Sequence, residues 1–281
     1  MAEILKGKPV ADAMIARMRE TAEGLRTSGV EPTLCMVRVG ERDDDLSYEK
    51  GVVKRCEQVG VRLRQVILPE DVSQEAFEAA FDQVNGDPAV HGILLYRPLP
   101  KHLDAERIRK RFDPQKDVDG WTDGSLAGVY ANTDLGFSPC TAQAVIELLR
   151  FYGIDPKGKR AVVIGRSLVI GRPVSMLLMH MNATVTTCHT RTVDVPSLAR
   201  EADILVCAAG VMKSVTESYT NPDQVIVDVG IHWDEAKGGL SGDVDFDAVA
   251  PHVRAITPVP GGVGGITTCV LLDHVLKAAG R

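Results

Sequence analysis

The run Ser47–Lys54, SYEKGVVK, packs a tyrosine, an acid and two lysines into two helical turns. A phenol and an amine on one helix face would form a proton-transfer pair. Residues three or four apart share a face, whereas residues two apart point to nearly opposite sides. The residue four beyond Tyr48 is Val52, so Lys50 and Lys54 are expected to turn away as solvated surface charge. The helix is expected to offer a pocket Tyr48 and Val52, and no base. Ser47 reads as its N-cap and Gly60 as its end. Gly51 costs a helix about 1 kcal/mol relative to alanine, and with Val52-Val53 it leaves a shifted register open at this point.

A second chemical signal is the loop Gly165-Arg166-Ser167-Leu168-Val169-Ile170-Gly171, between an apolar strand and a helix that Pro173 helps to start. It is wider than the G-x-G-x-x-G fingerprint, and on spacing alone a simple tight turn explains it nearly as well. Its place at the head of an α/β unit favours a phosphate loop, because backbone N–H groups then meet a helix N-terminus. The next strand ends in Cys-His-Thr-Arg-Thr, Cys188 to Thr192, without the acid that usually holds the ribose hydroxyls of NAD. Arg166, Thr190 and Arg191 offer cations and a hydroxyl to a ribose phosphate instead, which favours NADP. Near the C-terminus, ITPVPGGVGGITT (Ile256 to Thr268) combines stiff prolines with four glycines. At the carboxyl end of a strand this favours close backbone approach to a ligand over a merely tight turn.

The elements that must position these residues follow an α/β rhythm. TLCMVRVG, VRLRQVILP and VHGILLYRPLP read as strands separated by helical patterns, with a serine cap ahead of QEAFEAAFDQVNG. A Gly- and Asp-rich stretch, KDVDGWTDGSLAGVYANTDLGFSPC, marks the domain junction. Beyond it KRAVVIG, ATVTTCH, DILVCAAG, VIVDVGI and RAITPVP supply five strands of a doubly wound nucleotide-binding unit. The 281 residues suffice for two modest domains, and the net charge of −6 without a basic stripe argues against nucleic acid. The start, MAEILKGKPV, is unlike a signal peptide, and no apolar run reaches a membrane-spanning length, so a cytoplasmic setting is expected. Six scattered cysteines and seven histidines form neither CxxC nor HxxxH patterns, so neither disulfides nor a metal site is expected.

The motifs PLP, KDVDG, PCT, VIGRSxxxGRP, CHTRT, VDVGI and TPVPGGVG occur in that order. With them the chain resembles, over essentially its full length, the methylenetetrahydrofolate dehydrogenase/methenyltetrahydrofolate cyclohydrolase family. The resemblance implies an N-terminal α/β folate domain, residues 1–137 completed by a helix over 266–281. It implies a C-terminal Rossmann-like NADP domain, 138–265, a cleft between the two, and a homodimer. By position, Gly165, Arg166, Ser167 and Gly171 would line the NADP phosphates, Thr190 and Arg191 the ribose phosphate, and Ile231 the nicotinamide end. Tyr48 would stack along a tetrahydrofolate derivative and Asp119 would hydrogen-bond its pterin. Pro260, Gly261, Gly262, Gly264 and Thr267 would contact the same substrate.

Three positions depart from the family pattern. Val52 stands where the family lysine falls, Tyr96 replaces the glutamine of a QLPLP run, and Gly265-Ile266 replaces Pro-Met. The first two are credited in the family with acid/base work. The expectation is therefore a dehydrogenase with weak or absent cyclohydrolase activity. The bifunctional enzyme and a non-catalytic folate- or nucleotide-binding paralogue are the alternatives. For Tyr96, packing against the folate or filling the space of the lysine is preferred over a role as proton donor or lowered-pKa base assisted by Arg97.

Overall fold

The structure, a computed structural model, describes residues 2–281. In chain order it runs β1 (Glu3–Ile4), α1 (Gly7–Thr27), β2 (Thr33–Val39), α2 (Asp43–Val59), β3 (Arg62–Leu68), α3 (Gln74–Gly86) and β4 (Gly92–Leu95). Three helices follow, α4 (Ala105–Arg111), α5 (Asp123–Ala131) and α6 (Cys140–Phe151). The pattern then restarts with β5 (Arg160–Ile164), α7 (Gly171–His180), β6 (Thr184–Cys188), α8 (Val195–Arg200), β7 (Ile204–Cys207) and β8 (Val225–Asp228). Strands β9 (His232–Asp234) and β10 (Gly239–Ser241), helix α9 (Phe246–Val249), strand β11 (Ala255–Ile256) and helix α10 (Thr267–Ala279) complete the chain.

The chain folds as two compact units. One comprises Asp12–Cys140 with Thr268–Arg281, the other residues 2–11 with Thr141–Thr267. The expected division, 1–137 with 266–281 against 138–265, differs from this at the N-terminus. There the first residues group with the second unit, because β1 pairs in parallel with β11. A two-residue strand has no apolar period to reveal it.

The unit containing Asp12–Cys140 is built on a parallel sheet of order β3-β2-β4. All seven residues of the central β2 are buried, as a strand covered on both faces requires. Phe77, Phe81 and Phe112 pack with Ile93 and Leu95 into its core. Helix α2 starts at Asp43, one turn earlier than expected, so Ser47 lies inside the helix and is not its cap. The helix opens on Asp43, Asp44 and Asp45, three acids placed where the helix dipole favours negative charge. It closes at Gly60, whose φ of 86° requires glycine.

The other unit carries a six-stranded, wholly parallel sheet of order β1-β11-β8-β7-β5-β6. Five of those strands are the ones read from the sequence, and β1 adds a sixth. The β9–β10 hairpin was not expected. Its turn bonds the amides of Ala236 and Lys237 to Asp234 and uses Gly238 at a φ of 61°. Among the described residues no helix is long and apolar enough to cross a membrane.

Helix α10 anchors the segment from Lys116 to Gly120. His274 Nδ1–H donates to the Val118 carbonyl at 2.9 Å, and its ring stacks on Phe137 at 4.8 Å. Burial pushes the His274 pKa from 6.5 down to about 4. The unfolded chain therefore takes up a proton near pH 6.5 that the folded chain refuses until about pH 4. Stability is lost as pH falls through that window, by at most about 3 kcal/mol. Urea titrations at pH 7 and pH 4.5 should show a steeper loss for the wild type than for His274→Gln, which keeps a donor to Val118 but does not titrate. Parallel losses would refute the assignment.

Candidate active site

The folate-type residues expected from the sequence gather in the unit containing Asp12–Cys140. Asp117 is fully buried, and its Oδ2 accepts from the Thr122 amide and the Ser125 hydroxyl, each at 2.7 Å. The Val118 carbonyl is held by His274 and by the Cys140 thiol at 3.3 Å. With both neighbours locked inward, Asp119 is left as the partly exposed carboxylate, 28% accessible at its side chain. Gly120, at a φ of 70°, has no room for a Cβ, which would meet Pro139 N at 2.4 Å.

Tyr48 and Tyr96 meet edge to face, ring centroids 6.2 Å apart at 75°. Tyr96 is 6% exposed and its hydroxyl donates to Met36 Sδ at 3.2 Å. Burial pushes the Tyr96 phenol far above its ordinary pKa, and the charges of Glu49 and Asp45 push the same way. Burial likewise raises the Tyr48 phenol, with Cys140 and Asp119 adding to the shift. Both phenols are thus protonated at neutral pH, and neither is a base. Asp119 is also raised by burial, against the lowering pull of Arg97.

Val52 has no exposed surface, whereas Lys50 and Lys54 are exposed. Helix α2 is continuous across Gly51. Beneath it lies a polar group the sequence did not reveal. Buried Arg38 bonds Glu49 at 3.2 Å and the Gly40 carbonyl, and Gln65 donates to Glu49 at 2.7 Å. Arg97 was weighed only as an aid to the Tyr96 phenol, and its pairing with Asp119 was missed. Its Nη2 bonds Asp119 Oδ2 at 2.6 Å, and its guanidinium lies 4.9 Å from the centre of the Trp121 ring. It therefore faces Asp119 and does not act on the Tyr96 phenol. The only sequence signal was a charge where the family run has leucine.

The nucleotide-type residues gather in the other unit. Strands β5 and β6 run in parallel register, Ile164 beside Cys188, so their carboxyl-end loops are neighbours. Exposed Arg166, Thr190 and Arg191 sit in those loops. Gly165 has a φ of 126°, and a Cβ there would lie 2.1 Å from the Ala208 carbonyl oxygen. A Cβ on Gly171 would lie 2.2 Å from the Gly165 carbonyl oxygen. The Ser167 hydroxyl accepts from the Ile170 and Gly171 amides at the start of α7. The loop is thus a tight backbone cradle at a helix N-terminus, which fits a dinucleotide phosphate.

Ile231, 61% exposed, borders a cavity of about 250 Å³ lined by Asp228, Gly230, Pro260, Gly261, Gly262 and Gly264 among others. The glycines of this turn have several causes. Gly261 has a φ of 100°, Gly262 is crowded by the Pro258 carbonyl oxygen at 2.5 Å, and Gly7 N–H donates to the Gly261 carbonyl. Only Gly264 and Gly265 combine an ordinary φ with room for a side chain, so backbone conformation and packing account for part of what ligand approach was expected to explain. Thr267 starts α10 with its hydroxyl on the Gly264 carbonyl at 3.1 Å. Under the same cavity Asp228 and Asp243 are buried together. Asp228 accepts from the amides of Gly230, Asp243 and Val244, and burial lifts its pKa to about 6.

A parallel α/β unit with a phosphate cradle, joined to a second α/β unit that presents tyrosines and an aspartate, defines a dinucleotide-dependent enzyme. The chain belongs to the tetrahydrofolate dehydrogenase/cyclohydrolase family. The family's catalytic-domain model matches residues 5–119 and its NAD(P)-binding-domain model residues 139–281. A bifunctional protein FolD of Carboxydothermus hydrogenoformans is 50% identical over 279 residues, 99% of this chain and 97% of that protein. The crystal structure of the bifunctional FolD of Campylobacter jejuni superposes with a TM-score of 0.95 at 35% identity, covering 100% and 99% of the two chains. The Trypanosoma brucei enzyme, solved with NADP and an inhibitor, gives 0.91 at 35% identity, covering 100% and 98%.

The cradle makes an asymmetric prediction. Gly171→Ala should destabilise the protein by roughly 1–3 kcal/mol and weaken dinucleotide binding. Gly264→Ala, whose Cβ would make only a 3.5 Å contact with Ile231, should fold normally. Thermal denaturation and a dinucleotide titration of both variants check this.

Proposed function

We propose that the protein is an NADP-dependent 5,10-methylenetetrahydrofolate dehydrogenase of one-carbon metabolism whose methenyltetrahydrofolate cyclohydrolase step is weak or absent. The observation that carries the second half is the pair of positions 52 and 96. Val52 is fully buried, and the Tyr96 hydroxyl is committed to Met36 Sδ with its pKa raised by burial.

Oxidation breaks one C–H bond of the methylene bridge. The carbon gives up a hydride with its electron pair, which is the chemistry that bound NADP supplies by accepting it. The remaining cation is shared by the two flanking nitrogens. No proton has to move, so alignment carries most of this step. Tyr48, Asp119 and the Pro260 to Gly264 turn would hold the folate, and Ile231 would lie at the nicotinamide end. For the cofactor, the absence of an acid in Cys188 to Thr192 and the exposed Arg166, Thr190 and Arg191 support NADP over NAD. The relative solved with NADP supports the same choice.

Hydrolysis makes a different demand. Water bonds to the bridging carbon and loses a proton, while one C–N bond breaks and its nitrogen gains a proton. A positioned acid/base group contributes roughly 100- to 10,000-fold to such transfers, and Val52 contributes nothing. The second reading, the fully bifunctional enzyme, is favoured by the names of the relatives. A homodimer and a cytoplasmic setting complete the proposal.

Given methylenetetrahydrofolate and NADP, the protein should reduce NADP and accumulate the methenyl compound. The Val52→Lys, Tyr96→Gln double variant should gain hydrolysis by about tenfold or more. Val52→Lys alone places an ammonium in a buried site and should mainly destabilise. A wild type that delivers formyltetrahydrofolate as fast as it reduces NADP would contradict the proposal.

A further inference from the structure

We propose that Arg97 is a substrate-binding residue that makes the site specific for the 4-oxo form of the pterin ring. This inference rests on the folate reading above and assigns a second recognition group to it. Asp119 alone is a set of acceptors and can read only donors on the pterin edge. The structure places a guanidinium against that carboxylate, Nη2 to Oδ2 at 2.6 Å. Both groups remain partly exposed, 25% for Arg97 and 28% for Asp119. The ion pair is thus at an accessible surface, unlike the buried Asp117 beside it.

The guanidinium is held by two groups. Asp119 takes one N–H, and the guanidinium lies over the Trp121 ring, 4.9 Å from its centre. Trp121 is itself fixed, packing on the phenylalanine core and accepting at its carbonyl from Arg109 Nε at 3.2 Å. Asp119 is the guanidinium's hydrogen-bond acceptor among the described residues, which leaves its remaining N–H groups for a ligand.

An acceptor beside a rigid donor is the complement of a ring edge that carries N–H next to C=O. A reduced pterin presents that edge at N3–H and O4. Asp119 accepts from the N–H and Arg97 donates to the oxygen. A 4-amino analogue turns N–H donors toward the guanidinium and leaves it without an acceptor, and its bare N3 no longer donates to Asp119. A site built to hydrogen-bond a substrate group discriminates strongly against an analogue lacking it, because its own polar groups are left unpaired.

The test is a binding ratio. Tetrahydrofolate and its 4-amino counterpart are titrated into the wild-type protein, Arg97→Leu and Arg97→Lys, with circular dichroism confirming that each is folded. The wild type should prefer the 4-oxo compound by about tenfold or more. Arg97→Leu should lower the ratio several-fold, leaving only the share that Asp119 reads at N3–H, and Arg97→Lys should keep more of the preference. A merely structural Arg97 would weaken both ligands together. An equal ratio in wild type and Arg97→Leu, with hydride transfer intact in the wild type, overturns this inference alone. A wild type that binds neither compound overturns the folate reading with it.

Discussion

Helix α2 can turn only one face to its sheet, and the chemistry of the site depends on which residues that face carries. Asp45, Val52, Cys56 and Val59 are the buried ones. Their spacing puts Lys50 and Lys54 in water and leaves Tyr48 at the margin, its ring edge-on to Tyr96. An ammonium at position 52, where valine has no exposed surface, would have to be desolvated. Val52 and Tyr96 are both buried, and neither supplies a base. The first is apolar, and the second is a phenol that burial keeps protonated.

The second constraint is the alternation of the segment from Lys116 to Gly120. Asp117 and the Val118 carbonyl are tied inward by Thr122, Ser125, Cys140 and His274, so Asp119 is presented outward with little freedom. Helix α10 supplies one of those ties from the far end of the sequence. The carboxylate that results is paired with Arg97, and burial and the ion pair pull its pKa in opposite directions. In the other unit the equivalent rigidity comes from backbone crowding at Gly165 and Gly171.

Much of this was legible in the sequence, for identifiable reasons. The buried parallel strands are uninterrupted apolar runs, Gly60 and Gly165 sit where positive φ is needed, and a spacing of four residues located Val52 opposite the lysines. What stayed hidden depends on distant pairings. The strand β1 is two residues long and defined only by β11. The start of α2 was misplaced because Ser47 resembles a cap while three aspartates ahead of it resemble a loop. Arg97 finds Asp119 across 22 residues of chain, and no local pattern announces such a partner.

The central claim is that hydride transfer survives in a site without a proton-transfer group. The most direct measurement supplies pre-formed methenyltetrahydrofolate to the wild-type protein with no NADP present and follows its disappearance against buffer alone. The account predicts a rate close to that of the buffer, in a preparation that still reduces NADP with methylenetetrahydrofolate. Rapid, protein-dependent conversion to formyltetrahydrofolate would contradict it.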